Sequence, residues 1–125
     1  MRKLTVVDHP LVQDKLTQIR DRATSPRDFR ALVEQLAVVL FYEATRDLPL
    51  REVGVTTPVG PGRGFVLEGK EVALVPILRA GLAMVEGVLR LLPGAVVGHL
   101  GIYRDERTLR PVEYYWKLPA EVSDR

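Results

Sequence analysis

Arg79 and Arg104 are the side chains whose settings point to chemistry. Arg79 lies in the run Val75-Pro76-Ile77-Leu78-Arg79-Ala80-Gly81, which joins an apolar strand to a helix through an arginine and a glycine. Such a junction suits a phosphate. The strand brings the backbone to a sheet edge, Gly81 permits close approach or an unusual φ/ψ, and the helix start offers unpaired N–H groups and its positive dipole end. The planar Arg79 guanidinium adds bidentate contacts to an oxyanion. Arg104 closes a second apolar run and offers the same chemistry. Each has a plainer reading: a structural turn with a solvated Arg79, and Arg104 paired with Asp105 or Glu106 in an exposed turn.

Other groups fit structural roles better. Glu43 and Arg46 stand three apart on a helix and read as an ion pair near its C-terminal end. His9 and His99 have no ligand pattern around them, and no metal site is expected from protein residues. Asp105 and Glu106, ahead of Arg107 and Pro111, read as a charged hairpin turn instead of a catalytic carboxylate pair. Tyr114, Tyr115 and Trp116 are adjacent on a strand and so face opposite sides; strand packing or a subunit contact is favoured over stacking on a base. No residue is assigned as an acid, base or nucleophile.

The elements that must position these residues follow from periodicity. Asp8-His9-Pro10 marks a helix start, with a capping side chain and a proline tolerated in the first turn; Val12, Leu16 and Ile19 form its stripe. Ser25-Pro26-Arg27-Asp28 is a stronger start signal. The helix it opens carries Phe29, Leu32, Val33, Leu36, Ala37, Leu40 and Ala44 on one core-facing stripe and is expected to end near Asp47. The period then changes. Val53, Val55 and Thr57 alternate, residues 58–64 are rich in Gly and Pro, and residues 65–67 form a short second strand, together a β-hairpin. Residues 72–77 read as one buried strand, residues 80–92 as a helix with Leu82, Val85, Val88, Leu89 and Leu92 inward, and residues 95–103 as another buried strand. Residues 72–104 are therefore a β-α-β unit, whose parallel strands share a sheet. Arg79 and Arg104 then both lie just beyond strand carboxyl ends, where open α/β sheets bind ligands.

Composition narrows the partners. The 125 residues suit a single domain over residues 1–125, and 46% hydrophobic with 27% charged residues is a globular balance. The formal net charge of +2 comes from basic residues scattered among acids, so a nucleic-acid surface is not expected. The absence of cysteine excludes disulfides, thiolate nucleophiles and Cys-ligated metals. No apolar run reaches membrane-spanning length and Met1-Arg2-Lys3-Leu4 opens no signal core, which gives an expectation of a soluble, cytoplasmic protein with no membrane partner.

Several separate segments, in order, resemble uracil phosphoribosyltransferase: Asp8-His9-Pro10-Leu11-Val12, Tyr42-Glu43-Ala44-Thr45-Arg46-Asp47, the Val75 to Gly81 run, Tyr103-Arg104-Asp105, Pro111-Val112-Glu113-Tyr114-Tyr115 and Lys117-Leu118-Pro119. The resemblance implies an α/β fold of the type I phosphoribosyltransferase kind, a parallel sheet with flanking helices, N-terminal helices and a β-hairpin. It implies transfer of phosphoribosyl from phosphoribosyl pyrophosphate (PRPP) to uracil, giving UMP and pyrophosphate in pyrimidine salvage. It further implies magnesium accompanying PRPP, a GTP effector and a homodimer or higher homo-oligomer. Carried onto this sequence, Arg79, Ala80, Gly81 and Arg104 bind the pyrophosphate part of PRPP. The family continues past the position of Arg125 into an acidic, Gly-rich loop for the ribose 5-phosphate and a uracil-binding segment. The expectation is accordingly an incomplete domain, interrupted in the polar stretch from Ala120 to Arg125 and inactive alone; a non-catalytic remnant or regulatory module of the same fold is the alternative.

Overall fold

The computed structural model describes residues 3–69 and 72–120; Met1-Arg2 and the polar ending from 121 to 125 lie outside the described residues. Helix α1 (Pro10–Arg20) is capped by His9, whose Nδ1 accepts from the Leu11 amide at 3.1 Å. Helix α2 (Pro26–Ala44) is capped by Ser25, whose Oγ accepts from the Asp28 amide at 3.1 Å, while Pro26 takes the position where no N–H is needed. It stops before Asp47 because Thr45 leaves helical geometry and its Oγ1 donates to the Phe41 carbonyl at 2.8 Å. Along its apolar stripe only Leu32 and Ala37 are buried, at 7% and 2% exposure. Phe29, Leu40 and Ala44, expected inward, are exposed: α1 and α3 cover only part of that face.

Strands β1 (Leu50–Thr57) and β2 (Gly60–Leu67) form a two-stranded antiparallel ribbon. The expected loop over residues 58–64 shrinks to the turn at Pro58-Val59, since Gly60 through Gly64 pair with Thr57 back to Val53. Gly60 makes this feasible: its φ of 132° is open only to glycine, and its carbonyl accepts from Thr57 Oγ1 at 2.7 Å.

The expected single strand over residues 72–77 is realised as β3 (Ala73–Leu74) and β4 (Ile77–Leu78), and its partner over residues 95–103 as β5 (Val96–Val97) and β6 (His99–Arg104). Pro76 has no N–H for the ladder, which divides the first strand. Alignment nevertheless carries across the break: the amides of Val96, Gly98 and Leu100 donate to the carbonyls of Val72, Leu74 and Pro76 at 3.0, 2.9 and 3.1 Å. β3 with β5 and β4 with β6 are parallel, and helix α3 (Leu82–Leu91) connects them, so the β-α-β unit holds. Strand β7 (Pro111–Lys117) extends the sheet antiparallel, giving the order β4-β6-β7. A register shift between Gly101 and Ile102 leaves Tyr114 as the extra residue, so strict alternation of the aromatic run does not apply. Both Tyr114 and Tyr115 lie over buried Gly101, where any Cβ would come within 2.7 Å of each.

Helix α3 packs on α2. Val88 is buried at 6% exposure, and Gly87 sits against the backbone of Glu34, whose carbonyl oxygen a Cβ would overlap. Glu34 also pairs with Arg90 at 3.2 Å. Burying side chains such as Leu32 and Val88 contributes roughly 1.5–3 kcal/mol each. Leu82, expected inward on α3, is 41% exposed, because the helix begins at Leu82 and its first turn lines a groove.

Candidate functional site

Beyond Leu78 the chain leaves the sheet and turns through Arg79, Ala80 and Gly81 into α3. The Gly81 amide donates to the Ile77 carbonyl at 2.9 Å and the Leu82 amide to the Arg79 carbonyl at 3.1 Å, which close the turn. The amides of Arg79 and Ala80 have no acceptor among the described residues. Two successive free N–H groups at a helix start suit an anion. The Leu78–Arg79 peptide bond is cis. Gly81 answers the question its sequence position raised. Its φ of −70° is ordinary helical backbone, so an unusual conformation is not what selects glycine. Close approach is: a Cβ here would lie 2.9 Å from the Ile77 nitrogen, 3.0 Å from the Ile77 oxygen and 3.0 Å from Pro76 Cβ.

Arg79 is exposed and makes no ion pair among the described residues. It stands where two open grooves meet. One, of about 600 Å³, runs between the starts of α2 and α3 beside Phe29, Arg30, Leu82 and Glu86. The other, of about 800 Å³, follows the strand from Val72 and includes Phe41, Val88 and Ile102. Arg79 and Ala80 line both.

Arg104 ends β6, beside β4 in the same sheet. The register sets Leu78 opposite Gly101, so Arg104 lies three residues beyond that pair, ~10 Å along the strand at ~3.3 Å per residue. It lines neither groove containing Arg79. Both arginines thus occupy one sheet edge, on neighbouring strands, without being brought into one cavity. The alternative pairing of Arg104 with Asp105 or Glu106 does not form. Asp105 instead accepts from the amides of Thr108 at 2.7 Å and Arg107 at 2.9 Å, and these hydrogen bonds, led by Thr108, hold its carboxyl below the usual carboxylate range.

The other candidate residues are placed as follows. Glu43 and Arg46 form a two-point ion pair, at 2.7 and 3.1 Å, on the surface at the end of α2; the Arg46 hydrogen bond lowers the Glu43 carboxyl. His9 is a helix cap and His99 lies opposite Lys117 in the sheet. Among the described residues no cluster of three or more His, Cys, Asp or Glu could hold a metal ion, and no helix is long and apolar enough to cross a membrane. Tyr114, Tyr115 and Trp116 are exposed, and Tyr114 meets Tyr103 with ring centroids 6.0 Å apart. Arg30, one turn inside α2 and not singled out by the sequence, lines the groove between α2 and α3 together with Arg79.

A family model described as uracil phosphoribosyltransferase matches residues 6–125, nearly the whole chain. The chain belongs to the uracil phosphoribosyltransferase family. The uracil phosphoribosyltransferase of Halalkalibacterium halodurans is 58% identical over 125 residues, all of this chain and 60% of the relative. That of Thermus thermophilus is 57% identical over 123 residues, 98% of this chain and 59% of its own. Among solved structures, the AQ2163 protein from Aquifex aeolicus superposes with a TM-score of 0.83 at 42% identity, over 92% of this chain and 55% of that one. The chain therefore spans about 60% of the length of the curated uracil phosphoribosyltransferases it matches. The matched part contains the strand, turn and helix around Arg79 and the hairpin that bears Arg104.

Proposed function

We propose that this chain takes part in phosphoribosyl transfer from PRPP to uracil, giving UMP and pyrophosphate, and that Arg79, Ala80, Gly81 and Arg104 bind the pyrophosphate part of PRPP. The observation that carries the reading is the turn after β4: two free amides and an unpaired guanidinium at a helix start, in a chain of this family. As the bond to pyrophosphate lengthens, negative charge grows on its oxygens. Donors already fixed by the turn stabilise that charge without reorganising, the general advantage of a preorganised site. Arg79 and Arg104 hold and orient; neither exchanges a proton, since guanidinium stays charged. Gly81 lets the turn seat closely against Ile77.

The loop offers N–H donors, which do not fit a magnesium ion; magnesium belongs to this proposal only as an ion carried on the substrate's own oxygens. A GTP effector, a homo-oligomer and a cytoplasmic setting belong to the same proposal and are supported by family membership alone. The test is UMP formation from uracil and PRPP with magnesium, by this chain and by the chain continued through any coding sequence beyond codon 125. UMP formed in either case supports the proposal. Pyrophosphate binding without UMP in both would leave a non-catalytic module of the same fold, and the absence of both UMP formation and pyrophosphate binding would refute the reading.

A further inference from the structure

The hairpin that carries Arg104 sets three arginines, Arg104, Arg107 and Arg110, beside two acids, Asp105 and Glu106. Such crowding favours ion pairs, yet none of these arginines has a carboxylate partner among the described residues. The Asp105 carboxylate is engaged elsewhere. Its Oδ1 accepts from the amides of Arg107 at 2.9 Å and Thr108 at 2.7 Å. Its own amide donates to the Arg110 carbonyl at 2.9 Å, and its carbonyl accepts from Leu109 at 2.8 Å. Leu109, at φ 57°, completes the reversal into β7. Asp105 is half-buried, whereas Arg104, Glu106 and Arg107 on either side are exposed. The carboxylate next to Arg104 in sequence is thus taken up by backbone, and the guanidinium is left without an internal partner.

We propose that Asp105 is a positioning residue of the anion site: by binding the turn amides it fixes Arg104 at the sheet edge and withholds its own carboxylate from that guanidinium. The inference rests on the reading of Arg104 as a pyrophosphate ligand. The role needs a short side chain with an acceptor oxygen, and needs no charge. Asparagine supplies that oxygen, alanine does not, and glutamate keeps the charge while losing the short reach and gaining access to Arg104.

Pyrophosphate titrated calorimetrically into the full chain and its Arg104→Ala, Asp105→Ala, Asp105→Asn and Asp105→Glu variants tests this, with circular dichroism confirming the fold of each. Arg104→Ala, Asp105→Ala and Asp105→Glu are each expected to weaken binding on the order of tenfold, the scale of one charge-assisted contact. Asp105→Asn is expected to stay within about twofold of the parent, because the amide oxygen keeps the turn closed. An unchanged affinity in Arg104→Ala would overturn the reading of Arg104 as a pyrophosphate ligand and this inference together. Weakening by Arg104→Ala with no effect of Asp105→Ala would overturn the positioning role alone, as would equal weakening by Asp105→Asn and Asp105→Ala. If Asp105→Ala does not fold, the contrast between Asp105→Asn and Asp105→Glu decides by the same criterion.

Discussion

Replacing Gly81 with alanine separates two reasons for a glycine at the start of α3. The backbone angles there, φ −70° and ψ −12°, suit any residue, so the loss of chain entropy in the unfolded state favours alanine by ~0.4–1 kcal/mol. Against this stands the contact. The new Cβ would sit 2.9 Å from the Ile77 nitrogen and 3.0 Å from the Ile77 oxygen, backbone atoms held by the β4–β6 pairing and by the Gly81 amide hydrogen bond. Neither can swing aside as a side-chain end would, so the turn itself must lift. Overpacking of this kind costs ~1–3 kcal/mol. The net expectation is a loss of ~1–2 kcal/mol, or a Tm lower by ~4–8 °C in a chain of this size. Thermal denaturation followed by circular dichroism reads the stability, and calorimetric pyrophosphate titration reads the displaced amides. Gly94→Ala is the control, since a Cβ there meets nothing within 4 Å. Gly81→Ala melting at or above the parent temperature with unchanged pyrophosphate affinity would refute the close-approach argument.

Gly87→Ala is expected to be worse, because the Cβ overlaps the Glu34 backbone where α2 and α3 cross: a loss of ~2 kcal/mol remains after ~1 kcal/mol of helix propensity is credited, measurable by urea denaturation. The Asp105 carboxyl, titrated through the amide shifts of Arg107 and Thr108 by NMR, should show its midpoint below the usual range. Because its folded value is depressed, the stability it contributes is present above the unfolded value and disappears as pH falls through the folded one; the charges nearby in sequence are Arg104, Glu106, Arg107 and Arg110. Glu43 shows the same direction for its hydrogen bond with Arg46, but both side chains are at the surface, so Glu43→Gln should leave the Tm unchanged in moderate salt.

Local signals carried much of this architecture. Asp8-His9-Pro10 and Ser25-Pro26 open helices through backbone chemistry that acts within a few residues, and the change of period from Val53 announces strands without tertiary information. What stayed hidden depends on neighbours. Pro76 divides a run that reads as one strand, because a missing donor counts only against a partner strand. The hairpin turn is shorter than its Gly and Pro content suggests, since Gly60 and Pro61 pair across an exposed two-stranded ribbon. Phe29, Leu40 and Leu82 fit apolar stripes yet stay exposed, because periodicity marks a face without saying what covers it. At the site, the strand-turn-helix around Arg79 was legible from its residue types. The free amides of Arg79 and Ala80, the groove shared with Arg30 and the capture of Asp105 by its own turn required the fold.

The central claim is that the turn after β4 binds the pyrophosphate of PRPP through Arg79. Calorimetric titration of pyrophosphate into the chain and its Arg79→Ala variant addresses it most directly. Removing a two-point guanidinium contact is expected to weaken binding by roughly tenfold to a hundredfold, from ~1.5–3 kcal/mol for a charge-assisted hydrogen bond, with the fold unchanged because Arg79 is exposed and unpaired. Equal affinity in a folded Arg79→Ala protein would contradict the account.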